Sequence, residues 1–290
     1  MDASDDSADA SDADATPYER TYLFTLDAQA FPDSGHPGAL VHLPPRFDRT
    51  QPFGVVLFVH GFKNCITNCV ENTDTTCTPG AAPRSAYSLI DQFDRTNVPA
   101  VLVLPEVAFD ESTGNPGQLG AQNGMRAFLD ELFSVHMAPI IGPHTVDDLD
   151  RVILLSHSGG YQVAAAAATI GGVPQLHEVD LLDSLYGSIA SYDGWVMEHV
   201  APLQPSPDRY GRWRFGSVYT DTGGTDANNR DMAMRAMGWV ASPDIMLWDD
   251  TYSTFAPAQY EHPLIFKRSS LSHDGVVRYY FEQFVRASDW

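Results

Sequence analysis

The hydrophobic positions of this chain fall into two kinds of run. Phe53–His60 (FGVVLFVH), Ala100–Pro105 (AVLVLP) and Arg151–Ser156 (RVILLS) are almost continuously apolar, a pattern that suits strands covered by helices on both faces. These three are expected to be central parallel strands. Tyr18–Asp27 and Gly38–Leu43 are short and alternating instead, as two opening strands paired antiparallel at a sheet edge would be. Further strands are expected at Val179–Leu182, Trp213–Thr220 and Pro263–Ser269.

Between these runs lie helical stretches: Pro83–Arg95, Gly120–His136, Gly159–Ile170 with its run of alanines, Ile189–Val200, Asn228–Val240 and Asp274–Ala287. Strand-helix alternation implies a doubly wound, mostly parallel α/β sheet with helices on both faces. A chain of 290 residues can form such a sheet as one domain. We therefore expect a catalytic domain over residues 18–290, with a small cap region at 184–213, behind a disordered acidic tail at 1–17.

Composition narrows the partners. Lys and Arg total 17 against 38 Asp and Glu, a net charge of −21, which disfavours nucleic acid and anionic membrane surfaces. Six of the acidic residues fall in Met1–Thr16; without them, 32 acidic residues stand against 17 basic ones, a net charge of −15. The tail has no aliphatic periodicity and cannot bury enough apolar surface to order itself. No apolar run approaches the ~18 residues of a membrane span. An Asp/Ser/Ala tail ahead of a globular domain is also what remains once a signal or anchor segment is removed, so export is expected. Cys65, Cys69 and Cys77 share one short loop, which suits a local disulfide with one thiol left over better than free thiols, or than zinc, for which no fourth ligand is recognisable.

The chemistry centres on Arg151-Val-Ile-Leu-Leu-Ser156-His157-Ser158-Gly159-Gly160-Tyr161. An apolar strand runs into a tight turn of small residues and then an alanine-rich helix. A serine on such a turn is presented as a nucleophile, provided the residues two before and two after it are small enough for strand and helix to approach. Ser156 and Gly160 meet that need, so Ser158 is the candidate nucleophile. The base should be a histidine after the last strand, and His273 fits where His262 precedes that strand. Two aspartates close strands between nucleophile and base: Asp183 after Val179–Leu182, and Asp221 after Trp213–Thr220. Asp183 is preferred because Asp221 lies in a Thr- and Gly-rich turn where it could simply accept backbone amides; Asp226 is a remote third choice. Glu106 is expected to make a structural hydrogen bond, His157 to point away from substrate, and Asp147, Asp148 and Asp150 to cap and solubilise the approach to the nucleophile strand.

On the elbow around Ser158 and the upstream pair His60-Gly61, most of Tyr18–Trp290 resembles the α/β-hydrolase family, whose triad runs in the order Ser, acid, His. The resemblance implies an oxyanion hole formed by the backbone amides of Phe62 and Gly159. It implies hydrolysis of a small-molecule or polymeric carboxylic ester, with no metal or organic cofactor. A serine peptidase or amidase and a non-catalytic binding protein on the same fold are the alternatives. By the family's plan, Lys63–Ala82 with its three cysteines should form a rim over the site, and Ser184–Trp213 the cap.

Overall fold

The computed structural model describes residues 20–27, 38–107, 110, 115–205 and 213–290. The expected acidic tail at 1–17 and part of the expected cap lie outside the described residues. Among the described residues, nine strands form one sheet: β1 (Thr21–Phe24), β2 (Ala39–His42), β3 (Gly54–Val59), β4 (Ala100–Pro105), β5 (Val152–His157), β6 (Leu176–Leu182), β7 (Arg214–Thr220), β8 (Met246–Asp249) and β9 (Leu264–Ser269). Their spatial order is β1-β2-β4-β3-β5-β6-β7-β9-β8. β1 and β2 pair antiparallel at one edge, as their alternation suggested, and β2 joins β4 antiparallel. Every pairing from β4 through β8 is parallel.

The apolar strands are central because both of their faces are covered. Val55, Leu57 and Val59 of β3 pack with residues of α3 (Gly124–Glu131), α5 (Tyr161–Ile170), α6 (Ile189–Trp195) and α7 (Asp226–Ala236). Their alternates Val56 and Phe58 pack on the other face with α1 (Ile66–Val70), α2 (Leu89–Thr96) and α8 (Gly275–Ala287). The side-chain period of two thus divides each strand between two cores. The short α4 (Ala138–Ile141) completes the α-helices among the described residues. No helix among the described residues is long and apolar enough to cross a membrane.

Several elements differ from the sequence expectation. The helix expected over Pro83–Arg95 begins only at Leu89, because Ser88 takes a left-handed conformation and the segment before it is not helical. The one expected over Gly120–His136 divides into α3 and a wider turn at Leu132–His136. α1, α4 and β8 were not anticipated: they have five, four and four residues, too few to establish a period. Within the expected cap, Tyr192 and Trp195 are buried in the main core, and Trp195 and Trp213 lie 5.8 Å apart between ring centroids. Among the described aromatic residues of that region, Tyr186 alone packs against His273.

Candidate active site

The site lies where β3, β5, β6, β7 and β9 end, the edge at which open parallel sheets bind ligands. β5 ends at His157, and Ser158 follows with φ of +51°. That left-handed backbone costs a non-glycine residue about 1–2 kcal/mol and turns the chain sharply before α5. Two glycines make the turn feasible. A Cβ on Gly160 would come within 2.8 Å of the Val59 carbonyl, and one on Gly61 would stand 2.5 Å from Ser158 Cβ and 3.1 Å from its Oγ. Gly61, just beyond β3, therefore lies directly against the nucleophile candidate, and Phe62 follows it. Ser156 Oγ donates to Ser184 Oγ at 3.0 Å, and Ser184 Oγ donates to the Ser158 carbonyl at 2.9 Å. These two hydroxyls tie the elbow to the end of β6.

His273, in the loop between β9 and α8, is brought to Asp183, ninety residues earlier in the chain: Nδ1 donates to Asp183 Oδ2 at 2.8 Å. With Nδ1 protonated in that bond, Nε2 is the imidazole nitrogen left to accept a proton. Asp183 follows β6 directly, has φ of +50° and is wholly buried. Its other partners come from the loop after β7. Thr220 donates its amide to Oδ1 at 3.2 Å and its hydroxyl to Oδ2 at 2.6 Å, and Thr225 Oγ1 donates to Oδ1. Burial works to raise the Asp183 carboxyl, but the bonds from His273, Thr220 and Thr225 outweigh it and hold the group below the usual carboxylate range. Gly223 closes the loop over this carboxylate so tightly that no Cβ would fit.

Asp221 is not brought to His273. It is exposed, pairs with Arg268 at 2.9 Å and accepts the Tyr252 hydroxyl. Asp226 opens α7 and pairs with Arg230 four residues on, at 3.4 Å. The Thr-Asp-Thr-Gly-Gly-Thr turn in which Asp221 sits thus serves the other aspartate.

His157 is buried beneath the base candidate, their ring centroids 4.5 Å apart. Its Nε2 donates to the His273 carbonyl at 3.1 Å, and its Nδ1 lies 3.0 Å from the Tyr87 hydroxyl. Asp274 accepts from Tyr87 at 3.2 Å and from Ser85 at 2.7 Å. Burial, reinforced by the neighbouring His273, pushes the His157 imidazole down to about 4, so it is neutral at ordinary pH. Tyr186 stands edge-on to His273 at 6.3 Å between ring centroids, its phenol donating to the Gly223 carbonyl. Burial and the Asp183 charge push that phenol up to about 12.

Glu106 makes the structural bonds expected of it, 2.8 Å from His60 Nε2 and accepting the Ile66 amide at 3.2 Å. His60 Nδ1 donates to the Gly61 carbonyl at 3.0 Å, so this buried pair braces the Gly61–Phe62 segment. Asp148 caps a turn by accepting the Thr145 amide at 2.8 Å, and Asp147 pairs with Arg126. In the rim loop, Cys65 and Cys77 form a disulfide and Cys69 remains a buried thiol. Of the supporting residues, Thr220, Thr225, Ser184, Tyr87 and Asp274 carried no distinguishing signal in the sequence. Only the Thr-Gly-rich composition of the turn after β7 pointed to one of these neighbourhoods.

The sequence matches no protein-family model and no curated protein. Among solved structures, the chain is similar to a mutant of the feruloyl esterase module from Clostridium thermocellum complexed with sinapinate. The TM-score is 0.55 at 13% identity, over 94% of this chain and 96% of that one. A structure described as FAE gives a TM-score of 0.51 at 12% identity, over 94% of this chain and 96% of that one. A thermostable esterase gives 0.50 at 9% identity, over 92% of this chain and 61% of that one. The fold is that of the α/β-hydrolases.

Proposed function

We propose that the chain is a serine hydrolase that cleaves carboxylic esters through an acyl-enzyme, with Ser158 as nucleophile, His273 as general base and Asp183 as the triad acid. The observation that carries this reading is the bond from His273 Nδ1 to the buried Asp183 carboxylate, at the sheet edge where Ser158 leaves β5 in a left-handed conformation. Ser158 Oγ attacks the acyl carbon as His273 Nε2 takes its proton. The Asp183 carboxylate stabilises the resulting imidazolium without itself taking up the proton. The backbone amides of Phe62 and Gly159 receive the developing oxyanion. His273 then protonates the departing alkoxide, and a water activated by the same imidazole frees the acid. This sequence uses no metal and no organic cofactor.

Esters are favoured over amides by the esterases among the similar folds, which is an argument by analogy. The Cys65–Cys77 disulfide supports an oxidising compartment as the place of action. A fluorophosphonate probe tests the nucleophile: adduct mass on the peptide containing Ser158, absent in Ser158→Ala, is expected. A folded protein that takes no label there refutes both esterase and amidase readings. Chromogenic esters of increasing acyl length, together with methyl ferulate and a matched anilide, then assign substrate class.

A further inference from the structure

The rim of the site carries two cations in an otherwise acidic chain. Only two of the 17 basic residues are lysines. Lys267 is buried and paired with Asp249 at 3.1 Å. Lys63 is exposed, follows Phe62 directly and has φ of +64°, at the third position of a turn closed by the Asn64 amide on the Gly61 carbonyl at 3.3 Å. That turn position favours glycine. Lys63 Nζ lies 4.8 Å from the centre of the Phe62 ring, and among the described residues neither Lys63 nor Arg84 pairs with a carboxylate.

Lys63 and Arg84 line the same cleft of about 320 Å³, with Cys77, Thr78, Ala81, Ala82 and Asp110. Its frame is rigid. The Cys65–Cys77 disulfide fixes one wall. The Arg84 backbone bonds the Thr75 carbonyl through its amide at 2.8 Å, and its carbonyl accepts from Asn68 Nδ2 at 3.2 Å. A Cβ on Gly61 would touch Ser158, and two residues of chain span at most about 7 Å, so the backbone of Lys63, on the wall of the cleft, lies within that span of the residue that abuts the nucleophile. With Asp110 counted, its formal charge is +1 on a chain of −21.

We propose that this cleft is the subsite for a carboxylate carried by the ester substrate, held by Lys63 and Arg84. The chain's field opposes an anion elsewhere, so the pair acts as a local counter-charge that selects monoanionic esters. This inference rests on the esterase reading of Ser158. The test measures kcat/KM at fixed ionic strength for neutral p-nitrophenyl butyrate and for two anionic esters, p-nitrophenyl hemiglutarate and 4-acetoxybenzoate. The first anion sits in the acyl part, the second in the leaving alcohol.

The readout is the ratio of anionic to neutral kcat/KM, which cancels any common effect on the nucleophile or on the Phe62 segment. Lys63→Gln and Arg84→Gln are each expected to lower the ratio about 3-fold, and the double change about 10-fold, for at least one anionic ester, as exposed ion pairs allow. Lys63→Arg is expected to restore it. Turnover of the neutral ester with a ratio that none of these changes moves overturns the inference alone. No turnover of the neutral ester by the unmodified chain overturns it together with the esterase reading.

Discussion

Replacing Asp183 by Asn separates the two aspartates that close β6 and β7. The carboxylate accepts on both oxygens: Oδ1 from the Thr220 amide and Thr225 Oγ1, Oδ2 from Thr220 Oγ1 and His273 Nδ1. The Thr220 amide cannot rotate, so the Asn carbonyl must face it, which turns the Asn NH2 toward His273 Nδ1. The opposite flip would bury two donors against each other, at about 1–3 kcal/mol. Facing a donor, Nδ1 gives up its proton and the ring becomes the Nε2–H tautomer, which cannot accept the Ser158 proton. The expected loss is on the order of 10⁴-fold in kcat, about 5.5 kcal/mol of barrier, with KM changed only a few-fold. Asp221→Asn removes only the exposed contacts to Arg268 and Tyr252 and is expected to keep kcat within about 2-fold. Hydrolysis of p-nitrophenyl butyrate, normalised to sites titrated with fluorophosphonate, measures both. If Asp183→Asn keeps a tenth of kcat, or Asp221→Asn loses more than it does, the assignment of the acid is wrong.

Three further outcomes are expected. His157 titrates near 4 in the folded chain because it is buried beside His273, against about 6.5 unfolded. The unfolded state therefore binds the extra proton first, and stability falls as pH drops from about 6.5 to about 4, by up to about 3 kcal/mol. Urea unfolding of His157→Gln across that range should show a shallower acid slope than the parent, and parallel curves would contradict the shift. Ser158→Gly relieves the left-handed strain that Ser158→Ala retains. Both should be inactive, yet the Gly variant should be more stable by about 1 kcal/mol, or about 2–4 °C in Tm; equal melting would remove strain from the account. The Cys65–Cys77 bond spans 12 residues, so its reduction should cost about 3 kcal/mol on the chain-entropy estimate, and unfolding curves unchanged by dithiothreitol would show that the rim loop is not coupled to the fold.

The central strands were legible because burial on both faces leaves an unbroken apolar run, and β4 (Ala100–Pro105) begins and ends where its run does. The elbow was legible for a related reason: small residues must surround a serine wedged between strand and helix, and Gly160 stands within a methyl's reach of Val59. What surrounds Asp183 was not. Its donors Thr220 and Thr225 lie 37 and 42 residues away, and no local period encodes where a side chain leaving a strand at positive φ will point. The same turn contains Asp221 at the end of β7, so spacing alone left two acids in play. β8 escaped notice because Met246–Asp249 is half-buried throughout, with neither the alternation of an edge strand nor the continuity of a central one.

Backbone strain divides this chain into two kinds of left-handed residue. Among the described residues, seven non-glycine residues have positive φ. Ser88, Asn97, Asn123 and Ser188 stand at helix ends, where a reversal of the chain is part of starting or stopping a helix. The remaining three are Lys63, Ser158 and Asp183, which follow the ends of β3, β5 and β6 within four residues. Helix capping does not account for them, and at roughly 1–2 kcal/mol each they persist because their surroundings over-determine them. Gly61 and Gly160 clamp Ser158, four hydrogen bonds hold the Asp183 carboxylate, and a closed turn beside the disulfide loop holds Lys63. Two of these residues were singled out by the chemistry of acyl transfer alone. The third, Lys63, carries the same strain at the same sheet edge, on the wall of the cleft it shares with Arg84.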